Sequence, residues 1–264
     1  MNKDKVINSW FADMYDQFVT ETDDLEFMLS IIGEAPKDVL EVCCGSGRLL
    51  VPLAKAGYNA TGFDIDEDML SKIPSKSIGL DNIRFYKGDA VTSDWGGNFD
   101  LVVLAGNILI NIESDMDYKE AQRLFIKKAA QSLKIGGCLY LDFDLRAKPE
   151  LVFGDSEERT ILEGTDNNGV VGRYMIVGGS YDNAAQIARF VRKTELVTKD
   201  GRRILDERES LKHIPSLADV HCWLEDAGFK VKAEYGGNNG KPICEDTCRA
   251  IIYAERIGCR LTCI

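Results

Sequence analysis

An α/β fold built on an open, mainly parallel sheet is predicted by three features of the 264-residue chain. Short apolar runs at 39–42, 58–63, 82–86, 99–104 and 138–143 alternate with segments whose apolar residues recur at helical spacing. The first run leads into Glu41-Val42-Cys43-Cys44-Gly45-Ser46-Gly47-Arg48, and Leu49, Leu50, Leu53 and Ala54 then follow at helical spacing, so the glycines sit where a strand becomes a helix. The second run ends in Asp64, 17 residues after Gly47, where an acidic side chain is placed to hold ribose hydroxyls. Such a unit is Rossmann-like, and it puts an adenosine-type ligand at the carboxyl ends of its strands.

The other elements follow in order. Residues 4–20 place Val6, Ile7, Trp10, Phe11, Met14, Tyr15 and Phe18 on one helical face, and 22–32 forms a second helix with Leu25, Met28, Leu29 and Ile32 inward. Ahead of the first strand, this pair is expected to cover the ligand edge of the sheet or to form an outer layer. Residues 67–73 read as a short helix with Met69 and Leu70 available to flank an adenine. Strand 82–86 ends in Lys87-Gly88-Asp89-Ala90. After strand 99–104, Asn107 stands at the carboxyl end of a central strand, either aimed at a ligand or stabilising its own turn. A helix over 118–133 is expected to close on Lys134-Ile135-Gly136-Gly137 as a C-cap, and Asp142, Asp144 and Arg146 bring charge to the end of strand 138–143.

From 158 to 214 the period changes. Strands at 159–163, 170–179, 186–198 and 202–213 are separated by turn-forming segments such as Thr165-Asp166-Asn167-Asn168-Gly169, and so read as an antiparallel meander inserted into the parallel pattern. The helix capped by Ser216 and strands at 229–235 and 249–255 resume that pattern, which brings the main sheet to seven strands.

Composition excludes several classes of function. Acidic residues outnumber basic ones 43 to 32, a net charge of −11 that repels a phosphate backbone, so no nucleic-acid partner is expected. Arg189, Arg192, Lys193, Arg202 and Arg203 are the candidates for a local basic groove and read more simply as solvated strand faces. Cys244-x3-Cys248 and Cys259-x3-Cys263 are spaced more loosely than zinc knuckles, so no metal is expected and the eight cysteines read as free thiols. With no signal-type or membrane-length apolar stretch, a cytoplasmic protein without a membrane partner is expected.

Two cofactor classes use this kind of loop. A nicotinamide dinucleotide wants a third glycine for its pyrophosphate, yet position 50 is Leu, and Glu41 sets a negative charge beside the turn that suits a cation. Residues 41–47 resemble the Glu/Asp-x-Gly-x-Gly-x-Gly loop of the class I S-adenosylmethionine-dependent methyltransferases, with Cys43 in place of the first glycine, and the resemblance runs over residues 5–256. The insertion resembles that of amino-sugar N,N-dimethyltransferases and other small-molecule N-methyltransferases. The resemblance implies a Rossmann-like seven-stranded methyltransferase sheet with an inserted antiparallel β meander and an N-terminal helical cover. Residues 1–157 and 215–256 would be the S-adenosylmethionine-binding domain, 1–35 its cover, 158–214 a substrate or oligomerisation subdomain, and 257–264 a tail.

It also implies a cofactor set of Tyr15, Glu41, Cys43, Gly45, Gly47, Asp64, Ile65, Met69, Asp89, Ala90 and Leu104; the catalytic candidates are Tyr15, from the resemblance, with Asn107 and His213, each from its place at the end of a strand. The expected reaction is in-line methyl transfer to a small molecule, most simply an amine nitrogen, with S-adenosylhomocysteine as product. O-methylation of a small metabolite and binding without turnover remain the alternatives. A homodimer through the meander is a further expectation, as is a meander that controls the acceptor while contributing little to cofactor binding.

Overall fold

A computed structural model describes residues 2–145, 149, 153–154 and 157–258; Arg146, Cys259 and Cys263 lie outside the described residues. Helices α1 (Lys3–Phe18) and α2 (Asp23–Ile31) precede β1 (Asp38–Val42), α3 (Leu50–Lys55), β2 (Asn59–Asp64), α4 (Glu67–Leu70), α5 (Ile73–Lys76), β3 (Ile83–Lys87) and β4 (Phe99–Leu104). Then come α6 (Tyr118–Ser132), β5 (Leu133–Asp144), β6 (Glu158–Thr165), β7 (Val171–Asp182), β8 (Ile187–Val197), β9 (Arg203–His213), α7 (Leu217–Asp226), β10 (Phe229–Tyr235) and β11 (Arg249–Arg256). The main sheet has the order β10-β11-β5-β4-β1-β2-β3, with β11 antiparallel to both its neighbours. The remaining four strands form a second, antiparallel sheet in the order β6-β7-β8-β9.

Layering explains the apolar runs. Leu40, Val42, Val102, Leu104, Leu139 and Leu141 pack on one face with Phe125 and Ile126 of α6 and Trp223 of α7. Val39, Leu101 and Val103 pack on the other with Met28 of α2 and Leu50 and Leu53 of α3. Strands covered on both sides carry near-continuous hydrophobic sequence, which is why β1 and β4 were legible as runs. Because β1 has β2 on one side and β4 on the other, the strand order reverses there, and a crevice opens at their carboxyl ends. Asp117 caps α6, and Ser216 with Asp219 forms a capping box on α7.

Two local expectations change. The helix expected over 67–73 is two separate turns, α4 and α5, with Pro74 in the first turn of the second. Lys134-Ile135-Gly136-Gly137 is not a C-cap: buried Leu133 is itself the cap residue, extended at φ −82° and ψ 148°, and pairs at once with Phe99 of β4. Gly137 is required by that close pairing, since a Cβ there would meet the carbonyl oxygens of Lys134, Phe99 and Asp100 at 3.0–3.2 Å.

The inserted sheet does not stand apart. Val6, Trp10 and Met14 of α1 pack into Leu162, Val170, Leu196 and Ile204 of the second sheet, and the Trp10 indole donates to the Gly164 carbonyl at 3.3 Å. The opposite face of α1 is tied to the α4–α5 segment by ion pairs Lys5–Asp68, Lys72–Asp13 and Lys76–Asp16. Buried Asp13 bonds both ways, because its second oxygen accepts from the Asn167 amide at 2.8 Å. Helix α1 is therefore held between the second sheet and the ligand edge of the first, a contact that gives the meander a route to cofactor binding.

Candidate functional site

A cavity of about 190 Å³ lies at the carboxyl ends of β1 and β4, where strand order reverses. Its floor is the turn after β1, with Cys43, Cys44, Gly45, Arg48 and Leu49; Glu41 enters from β1 itself and Asp64 from the end of β2. Tyr15 of α1, Met69 of α4 and the Ala105, Gly106 and Ile108 loop after β4 complete the wall. A larger groove of about 640 Å³ sits around Asp38, Asn59 and Phe99 at the amino ends of the strands, the end that ligands of open α/β sheets do not use.

The turn is shaped for close approach. Cys43 and Gly45 both have left-handed backbones, φ 57° and 52°, and the Gly45 amide donates to Asp64 at 2.9 Å. A left-handed conformation costs a non-glycine residue about 1–2 kcal/mol, so Cys43 stands strained where the family motif has glycine. A Cβ at Gly45 would meet the Met69 methyl at 3.3 Å, which narrows the cavity mouth.

Its electrostatics are set by two buried carboxylates. Glu41 is 5% exposed, and its Oε2 has no hydrogen-bond partner among the described residues. Burial pushes its carboxyl up to about 8; Arg48 opposes the rise, and Asp64 and Asp24 add to it. Arg48 gives Glu41 little help because its guanidinium is engaged by Asp24 in a two-point pair at 2.8 and 2.6 Å. Burial also raises the Asp64 carboxyl, although it accepts from the Gly45 and Asp66 amides. The uncommitted group facing the cavity is thus acidic, protonated near neutral pH and able to become a counter-charge when a cation arrives. An unpartnered buried carboxylate beside a narrow, glycine-shaped turn fits the cationic S-adenosylmethionine, whose ammonium and sulfonium groups would satisfy it, and does not fit a pyrophosphate.

Of the expected cofactor set, Tyr15, Glu41, Cys43, Gly45, Asp64 and Met69 line the cavity. Gly47 packs behind the turn, where a Cβ would meet Ile73 at 2.9 Å and Val51 at 3.1 Å, and Leu104 is in the core. Ile65 is 60% exposed beside Asp64. Asp89 accepts from the Val91 amide, and the Ala90 carbonyl receives Trp95 and Lys128.

The catalytic candidates separate as well. Asn107 sits at φ 66°; its amide donates to Asp142, and its side-chain carbonyl accepts from the Asp144 amide at 2.9 Å, the turn-stabilising arrangement. His213 is buried 2.7 Å from Gln122, whose own amide nitrogen is spent on the Leu109 and His213 carbonyls, so Nδ1 donates to Gln122 Oε1. Burial first, and then Lys119, lowers its pKa to about 4, and it lies outside the cavity lining. Arg48, Ala105, Gly106 and Ile108 line the cavity without having been singled out as site residues; the signal for the last three was their place directly after strand β4, whereas Arg48 is revealed only by its long-range partner Asp24.

Comparison with known proteins agrees with this geometry. Residues 39–137 match the family model described as "Methyltransferase domain". The putative methyltransferase YqeM of Bacillus subtilis is 29% identical over 57% of this chain, which spans 61% of that relative's length. The cypemycin N-terminal methyltransferase of Streptomyces sp is 24% identical over 83% of both chains. An S-adenosylmethionine-dependent methyltransferase structure from Clostridium acetobutylicum superposes with a TM-score of 0.74 at 18% identity, covering 94% of this chain and 98% of that one, a likeness of fold.

Proposed function

We propose, from the match of residues 39–137 to a methyltransferase domain and from the cavity they line, that the protein is a class I S-adenosylmethionine-dependent enzyme that methylates a small molecule at an amine nitrogen. The observation that carries this reading is Glu41, a buried carboxylate with a free oxygen facing a cavity whose remaining charges are already paired. The amine is favoured over a hydroxyl because a neutral amine needs no general base, and the acidic side chains of the lining, Glu41 and Asp64, are the groups this reading gives to the cofactor. The similarity to the cypemycin N-terminal methyltransferase of Streptomyces sp supports the same choice.

Bound S-adenosylmethionine supplies a methyl group activated on a positively charged sulfur. Glu41 would hold cationic parts of the ligand, Asp64 the ribose, and the Cys43–Gly45 backbone would let the ligand lie close against β1. Tyr15, stacked on Phe11 at 6.5 Å, covers the cavity from α1, excludes water and presents an aromatic face to positive charge. Positioning and desolvation are what these residues contribute to rate.

The test is label transfer from methyl-labelled S-adenosylmethionine to matched amines and alcohols. Label on amines alone is expected; label on alcohols alone would make the protein an O-methyltransferase, and tight S-adenosylhomocysteine binding with no transfer to any acceptor would make it a binding protein. A second expectation concerns Asp64, whose two oxygens hold the Gly45 and Asp66 amides. Asp64→Asn keeps one acceptor and loses the charge, so it should weaken S-adenosylhomocysteine by about 1.5–3 kcal/mol. Unchanged affinity by calorimetry would place the ribose elsewhere.

A further inference from the structure

We propose that Lys212 and Arg192 form an anion-binding subsite for the acceptor, which makes the substrate an amine that also carries a carboxylate or a phosphate. The proposal deepens the methyl-transfer reading and rests on it for the word acceptor, though not for the anion.

Lys212 is unusual for a lysine. It is 8% exposed, and among the described residues it has neither a hydrogen bond nor an ion pair. Its stem is packed in while its unpaired ammonium still reaches solvent, so a counter-charge that arrives with a ligand finds this cation open to it. Burial and neighbouring Arg192 both depress its pKa, against which Glu113 acts alone. Arg192 repeats the pattern in part: its terminal nitrogen meets Glu113 at 2.7 Å, while its Nε is buried with no partner. Of the basic residues that suggested a groove, Arg189 and Lys193 pair with Glu209 and Glu195 on the sheet, whereas Arg192 faces Tyr174 and Glu113.

Placement ties this pair of cations to the cavity. Strands β8 and β9 put Ala188 opposite Lys212, Phe190 opposite Ser210 and Arg192 opposite Arg208, so the Phe190–Ser210 row lies between the two cations. Arg208 is taken by Asp4 and Asp206. From Arg192 the surface continues through Tyr174 to Phe11, ring against ring at 5.5 Å, and from Phe11 to Tyr15 in the cavity wall. Glu113 closes the other side a few residues beyond Ile108, in the loop that lines the cavity after β4.

The charge count decides the ligand. Two cations face one carboxylate, and the Glu113 side chain is 65% exposed, so an incoming anion can displace it into water at little cost. In a chain of net charge −11, an anionic substrate needs such a local positive site to overcome bulk repulsion. An acceptor with its anion at Lys212 and Arg192 would direct its amine along the aromatic wall toward Tyr15.

The first experiment needs no acceptor. Protein saturated with S-adenosylhomocysteine is melted in chloride, acetate or inorganic phosphate at matched ionic strength. Acetate or phosphate should raise the melting temperature of the wild type and of Lys212→Arg, but not of Lys212→Met or Arg192→Gln. An equal rise in wild type and Lys212→Met overturns the subsite, and which anion acts distinguishes carboxylate from phosphate. The second experiment compares turnover of amino acids with their amides and of aminoalkyl phosphates with amino alcohols. The charged member should have a KM about tenfold lower or better in the wild type, and the preference should vanish in Lys212→Met. Turnover without charge preference overturns the subsite and spares the methyl-transfer reading; anion stabilisation lost in Lys212→Met without any turnover does the reverse. Loss of turnover in Lys212→Arg with the anion response kept would identify Lys212 as a proton acceptor instead, because arginine keeps the charge and cannot lose its proton.

Discussion

Glu41→Gln is expected to stabilise the ligand-free protein and weaken its cofactor binding in the same variant. Buried Glu41 has a folded-state pKa of about 8 against an ordinary 4.5, so between those values the folded protein holds a proton that the unfolded chain has released. Stability therefore falls as pH rises from about 4.5 through about 8, and the loss is complete above that. Glutamine fits the same space without ionising, which removes the fall; at pH 9 the gain is at most about 3–5 kcal/mol. Binding moves the other way, because the amide cannot offer a negative charge to a cationic ligand, and a loss of about 1.5–3 kcal/mol follows. Wild-type binding at pH 7 should also release close to one proton, since a cation in the cavity returns Glu41 to its charged form. Calorimetry of S-adenosylmethionine binding in two buffers of different ionisation enthalpy reads that proton directly. Equal proton release in both proteins, with equal affinity, would remove Glu41 from the site.

The sheet was legible because its evidence is local. Strands covered on both faces appear as apolar runs, and a carboxylate, a turn and a helix start in succession place the crevice without tertiary information. Asp64 and Glu41 were found for the same reason: each sits at or near the end of a strand. What was missed depends on partners far away in sequence. Arg48 lines the cavity in the grip of Asp24, 24 residues earlier, and Lys212 is notable only because nothing among the described residues pairs with it, which no sequence pattern can report. Asn107 and His213 have the residue types of catalysis, but the Asp144 amide engages the Asn107 side chain, Gln122 engages His213 Nδ1, and His213 lies outside the cavity lining. The C-cap expected at Lys134–Gly137 failed because glycines fit both a helix end and a close strand crossing, and buried Leu133 decided for the strand. Cys43 shows the converse, a side chain tolerated where only backbone geometry reveals the strain.

Replacing residues 158–214 with a short Gly/Ser linker is expected to cost S-adenosylhomocysteine affinity about a hundredfold or more and to lower stability as well. Loop closure is not the obstacle, since changing loop length shifts entropy only slowly. The loss comes from α1. Without the second sheet, Val6, Trp10 and Met14, each at most 1% exposed, would face water, and burying a side chain of this kind contributes about 1.5–3 kcal/mol. What would still hold the helix are Lys5–Asp68, Lys72–Asp13 and Lys76–Asp16, and ion pairs open to solvent hold a helix only weakly. Asp13 would weaken further: burial raises its carboxyl, and the bonds from Lys72 and Asn167 that keep it below the usual range would be halved with Asn167 gone. An undocked α1 takes Tyr15 from the cavity and opens the ligand to solvent. Trp10→Ala isolates the same effect without deleting a sheet: a stability loss of about 3–5 kcal/mol is expected, with weaker cofactor binding in the fraction that remains folded. Near-normal affinity in both proteins would mean that α1 stays in place on its ion pairs alone, and that the second sheet serves the acceptor without supporting the cofactor.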